Sequence, residues 1–216
     1  MKKQDSTVNM YYIHTTHKII PYIDSLSKKY FPDQQIVHLL DESILLDINN
    51  NSLNLAQFKI ANLIDGSIVS GVNKFMITCT AAGGLIKNLN AKHQGMIARI
   101  ETPSIKEILG RSGKVGVVHT NVPVWGQITE YMKELGVKED VLLSCYVQDA
   151  FANLLNGNTK KHDELVVEFL KANQNNVDCY YLAQVSVCGI KERVNTWDLD
   201  VPVVSMAEMG IMQLSS

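Results

Sequence analysis

Short apolar runs alternate with longer amphipathic segments along most of the chain. Residues 10–13 and 74–78 are two of these runs, and both are rich in residues that favour strands. Between the runs, apolar side chains recur every three or four residues, as they do from Ile19 to Tyr30, which is typical of helices. Strands that are apolar throughout and alternate with helices predict parallel sheets covered on both faces, so we expect an α/β fold.

Further segments continue this pattern. Strands are predicted at residues 35–40, 115–118, 140–145, 179–183 and 201–204, and helices at 53–73, 127–135 and 162–172. Pro32 is expected to end the first helix, because proline disfavours helical geometry in the residue before it. Ser104 and Ser205 are each followed three residues later by a glutamate, a capping-box pattern that predicts the start of a helix.

The chain contains a repeat with a separation of 105 residues, the distance from His14 to His119. Both histidines follow an apolar strand and precede an amphipathic helix, and the same separation carries Cys79 onto Gln184. Two strand ends related by one separation indicate a duplicated half. We therefore predict two pseudosymmetric, doubly wound parallel-sheet lobes. The predicted lobes are residues 1–104, completed by a helix at 205–216, and residues 105–204.

The repeat also predicts where the active site lies. In doubly wound sheets, ligands bind beyond the carboxyl ends of the strands, where helix N-termini offer free N–H groups. His14, Cys79, His119 and Gln184 all follow predicted strands. If the two lobes face one another, these four residues meet in one cleft, and we expect the active site there.

Cys79 is the strongest candidate for chemistry. It lies between an apolar strand and the small residues 80–84. A thiol at a helix N-terminus has its pKa lowered by the helix dipole and by N–H donors, so we expect a reactive thiolate at Cys79. Cysteine is also common as a small buried apolar residue, and this is the role we expect for Cys145 and Cys179 inside strands.

Hydroxyl and amide side chains follow the same strands and can cap helices or hydrogen-bond a substrate carboxylate. They are Thr15, Thr16, Thr80, Thr120 and Asn121. His14 and His119 are expected either to hold a loop in place or to contact substrate and transfer protons.

Composition and charge narrow the choice of partners. The 216 residues include 20 basic and 22 acidic side chains, a net charge of -2, which argues against nucleic acid or an acidic membrane as a partner. No apolar run is long enough to span a membrane, and the first residues do not resemble an export signal. The four cysteines are too scattered for a disulfide framework, so we expect reduced thiols and a cytoplasmic location.

Several segments together resemble the aspartate/glutamate/hydantoin racemase superfamily, over almost the whole chain. They are YIHTT (12–16), MITCTAA (76–82), VGVVHTN (115–121), AFANLLNGNTKKHD (150–163), LAQVS (182–186) and PVVS (202–205). The resemblance implies two pseudosymmetric α/β domains with the active site between them, no cofactor, and a small carboxylate such as an amino acid as substrate. It also implies that the chain can form a homodimer.

The resemblance further implies an isomerase that uses Cys79. In family racemases one thiolate removes the α-proton and a second thiol on the opposite face returns a proton. Cys79 matches the first thiol, and Thr80 and Ala81 beside it are implied substrate contacts.

The second thiol position falls on Gln184, whose amide cannot exchange a proton at neutral pH. We expect Gln184 and Ser186 to complete the catalytic site, with His162 as a substrate contact whose titration range suits proton transfer. Cys188 would have to fold back to reach the cleft. Three functions therefore stay open: a racemase or epimerase, a single-cysteine decarboxylase or isomerase of the same superfamily, and a non-catalytic carboxylate-binding protein.

Overall fold

Two four-stranded parallel sheets form the centre of the molecule. The computed structural model describes residues 10–69, 72, 74–93, 95–194 and 197–215. The first sheet contains β1 (Met10–His14), β2 (Ile36–Leu40), β3 (Phe75–Ile77) and β4 (Ile97–Arg99), in the spatial order β2-β1-β3-β4. The second contains β5 (Val115–His119), β6 (Leu142–Tyr146), β7 (Cys179–Leu182) and β8 (Val203–Ser205), in the order β6-β5-β7-β8. All neighbouring strands are parallel, and the predicted α/β fold is confirmed.

Helices connect the strands. In the first half they are α1 (Ile20–Tyr30), α2 (Ser43–Asn49), α3 (Leu53–Ile68) and α4 (Gly83–Lys92), and α5 (Thr102–Lys106) leads to the second sheet. In the second half they are α6 (Val122–Glu134), α7 (Ala150–Leu155), α8 (Thr159–Asn173), α9 (Val185–Cys188), α10 (Ile190–Arg193) and α11 (Met206–Met212).

The burial of each strand follows its place in the sheet. The strands β3, β5 and β7 are buried at every residue, whereas the edge strand β2 is only partly buried. This difference arises because central strands of a parallel sheet are covered on both faces. The continuous apolar runs of the sequence are therefore the central strands, and their carboxyl ends lie in the interior of the molecule.

The two sheets repeat one another in sequence and in space. The strands β1 and β5 begin 105 residues apart, at Met10 and Val115, and both are second in their strand order. The strands β3 and β7 are third in their order, and their residues overlap at the same separation. The short helices α2 and α7 also correspond, since each follows the edge strand of its sheet. The predicted pseudosymmetry is confirmed.

The two halves pack closely on one another. Helix α4 of the first half contacts α6 of the second, and a side-chain carbon at Gly84 of α4 would overlap the side chain of Gln127 on α6. Helix α11 lies against α1 and α5, so the end of the described chain packs on the first half. The lobe boundaries at residues 104 and 204 stay predictions. None of the described helices is both long and apolar enough to cross a membrane.

Several local predictions differ from the structure. The helix predicted at 53–73 ends at Ile68, and residues 70, 71 and 73 lie outside the described residues. Ser104 lies inside α5 rather than at its start, where its hydroxyl donates to the carbonyl of Glu101. Ser205 does precede α11, but its side chain does not cap the helix. Instead, the Ser205 side chain lies near Cys188 and lowers the pKa of its thiol.

Candidate active site

A cleft lies between the two lobes at the carboxyl ends of the central strands. Its enclosed volume is about 40 Å³, and the space including the open mouth is about 390 Å³. It is lined by Thr15, Thr16, Ile19, Leu45, Thr78, Cys79, Thr80 and Ala81 of the first lobe and by Asn121, Val124, Phe151, Gln184, Val185 and Ser186 of the second. The repeat therefore brings residues that follow β1, β3, β5 and β7 to a single cleft.

Cys79 presents a thiol at the end of β3. It precedes a single turn of 3₁₀ helix at Thr80–Ala82, and it is partly exposed in the cleft. The Thr15 side chain and the backbone N–H groups of Ala81 and Ala82 lie near the sulfur and favour its charged form, which lowers the pKa of the thiol.

The predicted lowering of the Cys79 pKa is wrong. Burial raises the pKa of the thiol, and the nearby negative charge of Glu101 acts in the same direction. The Thr15 side chain and the two backbone N–H groups lower the pKa by less than burial raises it. Because charged sulfur loses more solvation than the short turn returns, the free protein holds Cys79 as a neutral thiol at neutral pH.

Gln184 occupies the position in the second lobe that corresponds to Cys79. Its amide oxygen accepts hydrogen bonds from the backbone N–H of Thr120, the Thr120 hydroxyl at 3.2 Å and the backbone N–H of Asn121 at 3.2 Å. The amide oxygen therefore uses the donors at the start of α6. The Gln184 amide nitrogen has no partner among the described residues, and its residue lines the cleft.

The same pattern of contacts appears in both lobes. Thr15 and Thr120 are 105 residues apart: Thr120 hydrogen-bonds Gln184, and the Thr15 side chain lowers the pKa of the Cys79 thiol. In the first lobe that residue is Cys79 and in the second it is Gln184. The duplicated site thus holds a thiol on one side and a carboxamide on the other.

Ser186 lies beside Gln184 in the wall of the cleft. Its hydroxyl is buried and has no hydrogen-bond partner among the described residues. Cys188, two residues further on, is buried, and its thiol donates to the backbone carbonyl of Gln184 at 3.2 Å. Cys188 therefore supports the Gln184 turn from behind and is not among the residues that line the cleft.

His14 lies beneath the cleft rather than in its wall. Its side chain is fully buried, with Nδ1 2.8 Å from the Thr78 hydroxyl and Nε2 2.9 Å from Nδ1 of His38. Burial, and then the neighbouring His38, lower the pKa of His14 to about 3. His14 therefore holds Thr78 in place as a neutral side chain.

His119 and His162 are likewise buried outside the cleft lining. Nε2 of His119 lies 2.9 Å from the Ser144 hydroxyl, and burial lowers the pKa of His119. Nδ1 of His162 lies 2.7 Å from a carboxylate oxygen of Asp163, which also binds Arg193. Thr120 is engaged with Gln184 and does not line the cleft either. These three histidines and Thr120, which we expected to contact substrate, thus lie outside the cleft lining.

Comparison with known proteins gives one consistent result. No family model and no curated protein matches the chain. Among solved structures, glutamate racemase RacE1 from Bacillus anthracis is similar over 97% of this chain and 80% of its own, with a TM-score of 0.75 and 15% identity. The Picrophilus torridus aspartate racemase is similar over 95% of this chain and 93% of its own, with a TM-score of 0.73 and 12% identity. The chain has the fold of the aspartate/glutamate/hydantoin racemase superfamily.

A third similar structure is a racemase of a different substrate. Allantoin racemase from Klebsiella pneumoniae matches 96% of this racemase-fold chain and 86% of its own, with a TM-score of 0.70 and 14% identity. The three similar structures therefore differ in substrate. The shared fold leaves the substrate of this chain to be argued from its own cleft.

Sequence reasoning missed the apolar part of the cleft in this racemase-fold protein. Leu45 on α2 and Phe151 on α7 line it from opposite lobes, and neither helix was predicted. The repeat carries a usable signal, since the two residues lie at nearly the separation that relates His14 to His119. No group of three or more His, Cys, Asp or Glu side chains among the described residues is arranged to hold a metal ion.

Proposed function

We propose that this chain is a cofactor-independent enzyme that uses Cys79 to transfer a proton at the α-carbon of a small carboxylate, as a racemase or epimerase does. The observation that carries this proposal is the position of the Cys79 thiol: it is partly exposed at a strand end, in the cleft between two lobes of a racemase fold. The similar solved structures are racemases of small molecules, which supports the same class of reaction.

The sulfur begins a catalytic cycle with its proton bound, because burial raises its pKa. The thiol first releases this proton to solvent, and the Thr15 side chain and the backbone N–H groups of Ala81 and Ala82 favour the resulting thiolate. The thiolate then removes the α-proton of the substrate, and the thiol formed in this way returns a proton to the carbanion on the same face. A positioned acid or base of this kind contributes about 10²–10⁴-fold to the rate.

The remaining rate enhancement has to come from donors aimed at the carboxylate, where negative charge develops as the α-proton leaves. The Gln184 amide nitrogen and the Ser186 hydroxyl are adjacent in the cleft wall and have no partner among the described residues. We propose that these two groups hold the substrate carboxylate, with Thr80, Ala81 and Asn121 as further contacts.

The contacts of Gln184 favour a second candidate, which is chemistry on one face only. A carboxamide has no exchangeable acid or base function at neutral pH, and the oxygen of this one is already bound by three donors. A single-cysteine decarboxylase or isomerase needs only one proton-transfer group, so Gln184 fits it as a substrate hydrogen-bond partner. A non-catalytic carboxylate-binding protein would use the same two donors without any exchange.

Deuterium exchange separates these functions. We would incubate a panel of small amino and hydroxy acids with the protein in D₂O and follow loss of the α-proton signal by NMR, with chiral analysis of each product. Exchange with inversion supports a racemase, and exchange without inversion supports single-face chemistry. Release of carbon dioxide identifies a decarboxylase, and ligand binding without exchange or product supports the binding protein.

Two variants test the role of Cys79 directly. Cys79→Ala should lower exchange by at least about 10²-fold, because the proton-transfer group is lost. Cys145→Ala is the matched control: this thiol is buried in β6 outside the cleft lining, so its loss should leave exchange unchanged. Full exchange by the folded Cys79→Ala variant would contradict the proposal.

A further inference from the structure

The walls of the cleft are neutral throughout the part of the chain that the structure describes. Hydroxyl, carboxamide and thiol groups make up the polar share, and aliphatic or aromatic side chains make up the rest. Two charged pairs lie outside this lining. Arg193 binds Asp163 at 2.7 Å, and Arg99 binds the buried Glu101 at 2.6 Å.

Both lobes contribute apolar side chains to the lining of the cleft. It consists of Ile19 and Leu45 from the first lobe and Val124, Phe151 and Val185 from the second. Four of these five side chains are buried, and Phe151 is partly buried. Such a wall binds an apolar substituent, and each methylene group taken out of water strengthens binding by about fourfold.

The polar groups of the cleft lining can hold one carboxylate. Several of its groups are already used: the Thr78 hydroxyl contacts His14 and donates to a backbone carbonyl, and Thr16 accepts from the backbone N–H of Lys18. The Gln184 amide nitrogen and the Ser186 hydroxyl have no partner among the described residues. Two neutral donors in the lining are enough for the two oxygens of a single carboxylate.

A second charge on the ligand would meet no counter-charge in this cleft. An ammonium group or a second carboxylate that leaves water without a partner of opposite charge loses its solvation and gains little in return. A zwitterionic amino acid and a dicarboxylate therefore bind less well than a monoanion of the same shape.

We propose that the substrate of this cleft is a monoanionic carboxylic acid with an uncharged α-substituent and a branched apolar side chain. Amino acids and dicarboxylates are thereby excluded as the preferred ligands. This inference rests on the proposed function for the identity of the site, and it adds the substrate class.

A four-member ligand panel tests the inference by binding alone. The four ligands are leucine, glutamate, 2-hydroxy-4-methylpentanoate and 2-hydroxyglutarate. Each hydroxy acid has the shape of the corresponding amino acid, with a hydroxyl in place of the ammonium group. Calorimetric titration should give at least tenfold tighter binding for 2-hydroxy-4-methylpentanoate than for the other three. Equal or tighter binding of leucine, glutamate or 2-hydroxyglutarate, or no binding by any of the four, would overturn the inference.

A charge-introducing variant provides a second test. Thr16 begins the turn at His17–Ile19 as its N-cap, and aspartate caps a helix at least as well, so Thr16→Asp should fold normally. The new carboxylate supplies a partner for an ammonium group and should raise the affinity for leucine relative to 2-hydroxy-4-methylpentanoate by about tenfold or more. Val122→Asp is the control, since Val122 is 66% exposed and does not line the cleft, and this ratio should stay unchanged. An unchanged ratio in Thr16→Asp would count against the inference.

The same titrations distinguish the two proposals. Tight binding of 2-hydroxy-4-methylpentanoate without exchange of its α-proton in D₂O would end the enzymatic proposal and leave the ligand class intact. Exchange on leucine or glutamate would support the enzyme and overturn the ligand class.

Discussion

Gln184 has one end of its carboxamide bound to the protein and the other end free in the cleft. Gln184→Glu should keep the contacts to Thr120 and Asn121, because a carboxylate oxygen accepts from the same donors. The second carboxylate oxygen would replace the free N–H₂ group and repel a bound acid. We expect the melting temperature to stay within a few degrees while carboxylate affinity falls by about tenfold or more, as loss of a charge-assisted hydrogen bond requires. Calorimetry measures both, and Gln148→Glu on the exposed surface is the control.

His14 gives the protein a pH-dependent stability of known sign. Its pKa is about 3 in the folded protein against 6.5 in an unfolded chain, so the unfolded state takes up this proton first as the pH falls. The stability contributed by neutral His14 is present at pH 7 and is lost progressively between about pH 6.5 and pH 3. From pH 7 to pH 5 this one group accounts for a loss of about 2 kcal/mol in the free energy of unfolding.

Urea unfolding at pH 7 and pH 5 checks this expectation. The His14→Gln variant keeps a hydrogen-bonding side chain but has no titrating ring, so its stability should fall less between the two pH values than that of the natural protein. His119 titrates in the same direction in both proteins, and its contribution cancels in the comparison. Equal losses in the two proteins would contradict the assignment.

At the residue scale, the sequence predicted the wrong direction for the pKa shift of Cys79. Cys79 precedes small residues at a strand end, and the backbone N–H groups of Ala81 and Ala82 do lower the pKa of its thiol. The direction of the pKa shift depends on how far the surrounding protein dehydrates the sulfur. That environment comes from residues distant in sequence, including Thr15 and Glu101, so local sequence could not supply it.

At the scale of elements, the long periodic segments were predictable and the short ones were not. Helix α1 was predicted because its apolar side chains recur along the whole segment and Pro32 limits its end. The strand β4 spans three residues and α9 spans four, too few for any periodicity to appear. The helices α2 and α7 are of this short kind, and so the sequence indicated the polar part of the cleft but not Leu45 and Phe151.

Substitution by alanine should change the stability of the protein in opposite directions at two helical glycines. Gly126 lies inside α6 with nothing within 4 Å of an added side-chain carbon, so Gly126→Ala should stabilise the protein by about 0.5–1 kcal/mol. At Gly83, the first residue of α4, the added carbon would overlap the guanidinium of Arg99. Arg99 is held by its ion pair with Glu101 and by the ring of Tyr131, so it cannot easily move away.

We therefore expect Gly83→Ala to lower the free energy of unfolding by about 1–3 kcal/mol, as overpacking of a filled interior does. Urea unfolding of both variants measures the two effects. A Gly83→Ala protein as stable as Gly126→Ala would mean that Arg99 has another position available.

At the scale of the whole molecule, the cleft combines a symmetric frame with an asymmetric pair of groups. The duplicated sheets place equivalent strand ends opposite one another, and Thr15 and Thr120 make equivalent contacts. The single change from thiol to carboxamide at Gln184 decides what the two walls can do. The repeat in the sequence predicted this frame, because one separation of 105 residues relates two pairs of strand ends.

One exposed hydrogen bond joins the two lobes at Asn121, which lines the cleft, and we expect this bond to limit access to Cys79. The Asn121 side chain at the start of α6 donates to the side-chain oxygen of Asn49, at the end of α2, at 3.2 Å. Asn49→Ala removes this bond, whose net worth is about 0.5–1.5 kcal/mol, and α2 should then move away from α6 more often. Alkylation of Cys79 by iodoacetamide should become about two- to tenfold faster, as peptide mass mapping would record. Asn50→Ala, one residue along in an exposed position, should leave the rate unchanged, and equal rates for both variants would refute a gating role for this hydrogen bond.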